Sequence, residues 1–562
     1  MKTDAMNKLM VFSLAAIFFV SCNSAVKMEN ELKAFIDTLE VKVKPVESGA
    51  ALAYFNAAVT GQDEEYAKSS ELNIQLSKIY ADKAAFAKLK EFKESGKITD
   101  SLLARQMTLL YNTFLANQVD EARMEELIKS QTRLEQKYST FRAVVDGEKL
   151  TDNEIETILK NSANNKELEK CWLASKQVGD TVAAEVVRLV KMRNELAREL
   201  GFADYHDMSL QLSDQDPKQI TALFDELDSL TRGIFTSLKE DVDAVLAKKY
   251  GIKPEALMPW HYQNRFFQEA PAIYDVNLDS YFADKDVVQL TRDYYDGIGL
   301  DATGIIEKSD LYEREGKYQH AFCTHIDRSG DVRVVCNVKN NNQWMNTMLH
   351  ELGHGVYDRN IDMTLPYFLR TPAHTFTTEA IAMIFGRLSS NPYWIRDNVG
   401  ITAEEADKIS QDVKNNLRLE QLVFSRWSQV MYRFEKSMYA YPDQDLNKLW
   451  WDLVEKYQML KKPEGRNNAD WASKIHIASY PCYYHNYQLG EILASQLQVF
   501  INTRVLKGGE NDVVSLSKNP EIGNYLLEHV FKPGAKYQWN DMIKRATGEE
   551  LTAKYYAWEF LK

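Results

Sequence analysis

Long amphipathic periodicity, in a chain with few turn-forming residues, is the feature that most limits the possible folds. Apolar side chains recur three and four positions apart, with charged residues between them, in the segments 65–90, 101–117, 121–145 and 181–200. The 562 residues include only 24 Gly and 13 Pro, roughly half the usual share of these two residue types. Because turns must be scarce and elements long, the sequence predicts a mainly α fold.

Charge and the lack of linkers limit the partners and the number of domains. Acidic residues outnumber basic ones, 81 to 68, and no run of five or more Lys or Arg occurs. Phosphate binding needs a clustered basic face, so we expect no nucleic-acid partner. No Gly/Ser-rich or Pro-rich linker separates independently folding units. Residues 23–562 are therefore predicted to form one large domain, with a long connection at 254–280.

The amino terminus has the pattern of an export signal. Lys2 and Lys8 precede an uncharged apolar run, 9–20, which is too short for a stable membrane span but has the length of a signal-peptide core. The run continues into Phe19-Val20-Ser21-Cys22, which resembles the lipobox of bacterial lipoproteins. We expect residues 1–22 to be a lipoprotein-type signal. The protein would then be periplasmic or on the cell surface, with its only membrane association through lipidated Cys22.

One region has the alternating pattern of strands. Segments 318–326 and 332–338 flank a turn signal at 327–331, so the sequence predicts a β-hairpin. Cys323 and Cys336 lie in these segments and are expected to face each other across the hairpin. A disulfide between them and free buried thiols are both open alternatives.

A His-Glu-x-x-His motif follows the predicted hairpin. His350 and His354 lie in the segment 344–357, whose apolar spacing predicts a helix. Residues four apart lie on the same face of a helix, so both imidazoles can bind one metal ion. Glu351 is then placed to take a proton from the attacking water, so we predict a zinc site with Glu351 as general base.

Chance and surface position explain this motif poorly. A chain with ten His residues would contain the pattern by chance in roughly one case per hundred. The helix also contains Gly353 and Gly355, each of which costs about 1 kcal/mol relative to Ala. We therefore expect another helix or a substrate to approach closely at these glycines.

Glu379 is the predicted third ligand. It begins an apolar helical stretch, 379–388, in which Arg387 is the other charged residue. A buried carboxylate there must be paired or coordinated. An ion pair with Arg387, or a position at the helix N-terminus, would be the alternatives to metal binding. Two His and one carboxylate favour a single zinc ion. His374 is interpreted as a residue that contacts substrate.

A second group of polar rings lies near the carboxyl end. His476, Tyr480, Tyr484 and Tyr487 are spaced four, four and three residues apart, which predicts one face of a helix. Such a face would present hydrogen-bond donors to an anionic tetrahedral intermediate. An aromatic stripe packed in the core is the alternative.

Together these motifs resemble the gluzincin peptidases related to thimet oligopeptidase, oligoendopeptidase F and angiotensin-converting enzyme. The resemblance rests on the zinc motif with Glu379 placed 25 residues after His354, on the segment 320–323, and on the His- and Tyr-rich segment 476–490. It implies a two-lobed helical zincin with a deep central channel and a small β-hairpin beside the zinc helix. The lobes would cover about 28–290 and 291–562.

The resemblance also implies roles for individual residues. Tyr487 and His476 would stabilise the oxyanion, and the remaining substrate contacts would come from Tyr480, Tyr483, Tyr484 and the backbone near Ala321. Several gluzincins have an acidic residue four positions after the glutamate ligand, where this chain has Met383. We therefore expect Asp358, one helical turn beyond His354, to orient a ligand instead.

The expected activity is zinc-dependent hydrolysis of peptide bonds in short unfolded oligopeptides by a monomer. Two alternatives stay open. Release of carboxy-terminal dipeptides is suggested by Lys474, which resembles the position where converting enzymes hold a terminal carboxylate. A lipid-anchored peptide-binding protein without catalysis would not need the general base Glu351.

Overall fold

A computed structural model describes residues 2–274, 276–318, 320–509, 512 and 514–560, without the side chains of 2–23, 132, 135, 136, 139 and 140. About 70% of the structure is helical, which confirms the mainly α prediction. The side chains of the predicted signal segment, including Cys22, lie outside this description. No helix among the residues searched combines the length and apolar character needed to span a membrane.

The first half of the described chain is built of long helices. They are α1 (Lys2–Thr60), α2 (Asp63–Tyr80), α3 (Lys83–Glu94), α4 (Ser101–Ala116), α5 (Glu121–Thr140), α6 (Asp152–Asn161), α7 (Asn165–Glu199), α8 (Tyr205–Leu212), α9 (Pro217–Tyr250), α10 (Asp279–Phe282), α11 (Val287–Gly297) and α12 (Thr303–Ile306). The hairpin β1 (Ala143–Val145) and β2 (Glu148–Leu150) interrupts them.

The second half contains the remaining hairpin and the helices that carry the site. The strands are β3 (Phe322–His325) and β4 (Val332–Val335). The helices are α13 (Asn342–Arg359), α14 (Thr375–Arg387), α15 (Pro392–Val399), α16 (Ala403–Ala440), α17 (Leu446–Leu453), α18 (Ile475–Ser479), α19 (His485–Phe500), α20 (Pro520–Leu526), α21 (Trp539–Thr547) and α22 (Lys554–Phe560).

Local capping explains where the predicted helices end. The predicted helix 101–117 is confirmed as α4, whereas the stretch 65–90 is divided between α2 and α3. The division falls at Asp82, whose side chain accepts hydrogen bonds from the first amides of α3 and so starts a new helix. The predicted helix 121–145 ends at residue 140, because 143–145 pairs as a strand instead. The stretch 181–200 is the end of the 35-residue helix α7.

The predicted hairpin before the zinc motif is confirmed, but the pairing of its cysteines is not. In the β3–β4 register Cys323 lies opposite Val334, and Cys336 follows the last residue of β4. The expectation that Cys323 and Cys336 face each other is therefore wrong, because the register is offset by two residues. Cys171, Cys323, Cys336 and Cys482 are free thiols.

Three helices position the site by close packing. α13 lies against α14, and α14 lies against α19. A Cβ atom on Gly353 would lie 2.9 Å from the Cα of Ala382, so the two backbones meet where the sequence predicts a close approach. On the other side of α14, a Cβ on Gly490 would lie 3.2 Å from the Cβ of Glu379 and 3.1 Å from the sulfur of Met383.

Apolar packing joins both halves of the chain. The largest buried apolar cluster extends from Leu134 to Phe560 and includes residues on both sides of position 290. A second cluster is formed mainly by α1, α3 and α4, and it also contains Tyr367 and Phe368. The predicted connection 254–280 contains only short 3-10 turns before α10. The division into two lobes stays a prediction.

Candidate zinc site and its cleft

The structure brings the three predicted ligands together. The Nε2 atoms of His350 and His354 each lie 3.8 Å from Oε2 of Glu379. All three candidate ligand atoms lie within 4.8 Å of one another. Two ligands held about 2.0–2.1 Å from a tetrahedral zinc ion would be about 3.4 Å apart. The residues therefore fit a zinc ion after a small contraction of the site.

Thr378 orients the second histidine. Its Oγ1 lies 2.8 Å from Nδ1 of His354, which leaves Nε2 directed at Glu379. The expectation that Asp358 performs this role is wrong, because Thr378 precedes Glu379 on the facing helix and reaches the imidazole directly. Asp358 lines the cleft, where burial raises its pKa to about 7.

Neither alternative to metal binding explains Glu379. Arg387 pairs with Glu491 and lies 3.5 Å from Glu559, so its charge is satisfied elsewhere. Glu379 lies in the second turn of α14, beyond the helix N-terminus. Burial, with the charge of Glu491, raises the pKa of Glu379 to about 7. A carboxylate in this environment is stabilised by a cation, which a bound metal would supply.

Glu351 is held in the same cleft. Its side chain is only 9% exposed, and burial together with the charge of Glu379 raises its pKa to about 8. The backbone amide of Cys323 opposes this shift by donating a hydrogen bond to the carboxylate. A carboxyl group with a pKa near neutrality suits proton transfer in both directions.

The cleft around the zinc site includes two further predicted residues. Ala321 lines it together with the first residues of β3. His374 lines it too, but both of its ring nitrogens already have partners in the protein. Nδ1 accepts a hydrogen bond from the Phe376 amide at the start of α14, and Nε2 lies 2.9 Å from the carbonyl oxygen of Ser213. His374 therefore joins two walls of the cleft.

The prediction of one continuous helix through His476 and Tyr487 is wrong. α18 ends at residue 479 and α19 begins at residue 485. Between them, Cys482 has a φ of 58°, and its amide donates a hydrogen bond to the buried carboxylate of Glu435 at 2.9 Å. This tertiary contact with α16 fixes a break that helical spacing alone does not show.

The rings nevertheless converge on the site. The charge of Glu379 contributes, after burial, to raising the pKa values of Tyr483 and Tyr487. The ring of Tyr487 lies 5.3 Å from that of Tyr484, which in turn lies 5.1 Å from the ring of His476. Tyr480 is 56% exposed and lies at the outer end of this group.

His476 and Tyr484 differ in their hydrogen bonding. Trp427 donates a hydrogen bond to the hydroxyl of Tyr484 at 2.8 Å. Burial, together with the charge of Lys474, lowers the pKa of His476 to about 3, so its imidazole is neutral at pH 7. Its buried Nδ1 has no hydrogen-bond partner among the described residues. His476 therefore has an unused polar atom to offer a ligand.

Lys474 is a buried cation at the far end of the ring group. Its Nζ donates a hydrogen bond to Oε1 of Gln268 at 2.5 Å and lies 5.5 Å from the ring centroid of Tyr484. Burial, with the charge of Arg265, lowers its pKa to about 7. Gln268 and Thr378 are absent from the residues predicted from the sequence. Thr378 is adjacent to a ligand, whereas Gln268 lies in the connection 254–280 and carries no motif.

A zinc motif on one helix, completed by a glutamate from a second helix, is the arrangement of the gluzincin metallopeptidases. The chain matches the sequence profile of the M2 peptidases, described as angiotensin-converting enzyme, over residues 26–557. It therefore belongs to the angiotensin-converting enzyme family of zinc metallopeptidases.

Individual relatives are distant. Angiotensin-converting enzyme of Rattus norvegicus is 23% identical over 542 residues, which cover 87% of this chain and 40% of the relative. The Mesocricetus auratus enzyme is 22% identical over 428 residues, covering 70% and 32%. An inactive angiotensin-converting enzyme-related protein of Caenorhabditis elegans is 28% identical over 112 residues, covering 19% and 12%. The chain thus spans between about a third and two fifths of the length of the first two relatives.

Proposed function

We propose that the protein is a zinc-dependent peptidase that releases dipeptides from the carboxyl termini of short unfolded peptides. The observation that carries this proposal is the buried Lys474–Gln268 pair beside the ring group of the site. A buried ammonium with an amide neighbour suits the carboxylate at a peptide's end. A peptide bound there by its terminus would present one particular bond to the zinc site.

The spacing of the ring group supports dipeptide release. Two contacts connect Tyr487, beside Glu379, to Lys474: ring to ring at 5.3 Å, and Tyr484 ring to Nζ at 5.5 Å. Two extended residues span about 7 Å. This is the scale on which a dipeptide would connect a scissile bond near Tyr487 with a carboxylate near Lys474.

The hydrolytic step uses groups already in place. When bound, zinc would lower the pKa of a coordinated water to about 7 and polarise the peptide carbonyl. Glu351 accepts the proton of the attacking water and passes it to the leaving amine. Tyr487 donates a hydrogen bond to the developing oxyanion, and His476 donates from its neutral imidazole. Thr378 keeps His354 in the ligating orientation.

The hairpin provides a means to align the peptide. β3 pairs with β4 along one edge, and among the described residues no strand pairs with its other edge. The amide of Cys323 is directed at Glu351, so the unpaired edge faces the cleft near Ala321. An extended peptide can add to such an edge through backbone hydrogen bonds. Folded substrates would not present an extended strand there.

Internal cleavage and binding without catalysis are the competing functions. Internal cleavage needs no free carboxyl terminus and would leave Lys474 without a role. A binding protein would not need Glu351, although an inactive relative exists in the same family. Both competitors predict products that differ from C-terminal dipeptides.

Mass-spectrometric mapping of products separates these functions. We expect zinc-loaded protein to release dipeptides from peptides with a free carboxyl terminus and to leave their amidated counterparts uncut. The variant Lys474→Met should lose at least tenfold in kcat/KM on free-carboxyl peptides. Lys461→Met, at an exposed lysine on the same side of the sequence, is the matched control. Internal fragments from amidated peptides would establish an endopeptidase instead.

A further inference from the structure

A second cavity meets the zinc site at His350. This ligand lines both the cleft that contains Glu351 and a cavity on the opposite side of the ligand. We define the acidic cavity by the six lining residues His350, Met383, Asp279, Glu420, Gln421 and Glu491. The proposed hydrolytic step uses none of its acidic residues.

The charges in the acidic cavity are not balanced. Arg387 also lines it, but it is paired with Glu491 and lies near Glu559. Glu420 accepts a hydrogen bond from Asn416 at 2.8 Å and forms no ion pair among the described residues. Burial raises the pKa of Glu420, with smaller contributions from Glu491 and Glu269, although its side chain stays accessible within the cavity. A cation would stabilise this carboxylate.

Gln421 provides a second, independent observation. Its Nε2 donates a hydrogen bond to Glu491 at 3.2 Å, which fixes the amide orientation. Its Oε1 has no partner among the described residues, although the side chain is only 7% exposed. An unpaired buried acceptor requires a donor. Ammonium and guanidinium groups carry several N–H donors and no acceptor, so they suit both Glu420 and Gln421.

The acidic cavity lies on the side of the site that contains Lys474. Residues three and four apart share one helix face, so the wall formed by Glu420 and Gln421 continues to Phe424. The ring of Phe424 lies 6.2 Å from that of Tyr484, the neighbour of Lys474. The charge of Glu269 also acts on the pKa values of both Lys474 and Glu420.

We infer that the acidic cavity accepts a cationic side chain, that of Lys or Arg, from the leaving dipeptide. This inference rests on the proposed release of carboxy-terminal dipeptides. With the terminal carboxylate at Lys474 and the scissile bond near Tyr487, the two intervening side chains are the ones that can reach Glu420. The protein would therefore favour peptides with a basic residue at the last or the penultimate position.

Calorimetric binding to the zinc-loaded Glu351→Gln variant tests this inference. The probes are pentapeptides with Lys, or norleucine of similar length, at the last or the penultimate position. We expect Lys at one of these positions to lower the Kd at least tenfold relative to norleucine. Adding Glu420→Gln should reduce that ratio to less than threefold, whereas Glu404→Gln, at the exposed start of the same helix, should leave it unchanged.

Equal binding of the Lys and norleucine peptides would overturn the inference without any further variant. A Lys preference that Glu420→Gln leaves intact would overturn it as well. Because binding is measured without turnover, the result does not depend on which bond is cut. The product map described above decides the proposed function separately, so failure of one can be distinguished from failure of the other.

Discussion

Nδ1 of His354 lies 2.8 Å from Oγ1 of Thr378, the residue immediately before the third ligand, Glu379. α14 therefore supplies both a ligand and the group that orients a ligand on α13. The contact fixes the imidazole tautomer and ring angle, which is how residues beyond the ligands tune metal affinity. One helix shift would disturb both features at once.

Thr378→Val should weaken zinc binding by about 10–100-fold, because the isosteric side chain cannot hydrogen-bond to His354. Thr378→Ser retains the hydroxyl and should bind zinc nearly as well as the natural protein. Competition with a chromophoric chelator measures both affinities. If Thr378→Val binds zinc as tightly as Thr378→Ser, the hydrogen bond does not orient the ligand.

Gly353→Ala should destabilise the protein by about 1–3 kcal/mol, because overpacked helices must separate. The new Cβ would lie 2.9 Å from the backbone of Ala382. Gly233→Ala in α9 is the control, since a Cβ there meets nothing within 4 Å. That change should stabilise the protein by up to about 1 kcal/mol. Urea unfolding measures both, and a neutral effect at Gly353 would contradict the close packing of α13 on α14.

The charge of Lys474 should make peptide cleavage sensitive to pH. Burial lowers its pKa to about 7, so the side chain is charged below that pH and neutral above it. Binding of a terminal carboxylate should therefore weaken as the pH rises through 7. Lys474→Arg keeps its charge throughout this range.

The informative quantity is the ratio of kcat/KM values for Lys474→Arg and the natural protein, measured from pH 6 to 9. Other titrating groups are common to both proteins and cancel in the ratio. We expect the ratio to rise with pH above 7, approaching tenfold per pH unit. A ratio that does not change with pH would show that the charge of Lys474 does not bind the substrate.

Short-range patterns in the sequence predict much of this fold and site. Four-residue spacing predicts that His350 and His354 share a helix face, and two glycines in that helix predict the close approach of α14. The single carboxylate in an apolar stretch marks Glu379. Alternating residues around a turn signal predict the β3–β4 hairpin. Each of these inferences depends on residues close together in the sequence.

Features that depend on tertiary contacts are not predictable in this way. Helical spacing from His476 to Tyr487 does not show the break at Cys482, which depends on Glu435 in α16. Charge alone favours Asp358 over Thr378 as the partner of His354, and only the packing of α14 shows otherwise. Gln268 lies 206 residues from Lys474 in the chain and carries no recognisable pattern.

Peptide hydrolysis by zinc-loaded Glu351→Gln tests the central claim most directly. The natural protein should release carboxy-terminal dipeptides, lose this activity to a chelator and regain it with zinc. The variant should retain one zinc ion per chain, because Glu351 is not a ligand, and lose about 10²–10⁴-fold in rate. A folded, zinc-loaded Glu351→Gln protein that cuts peptides at the natural rate would contradict the account.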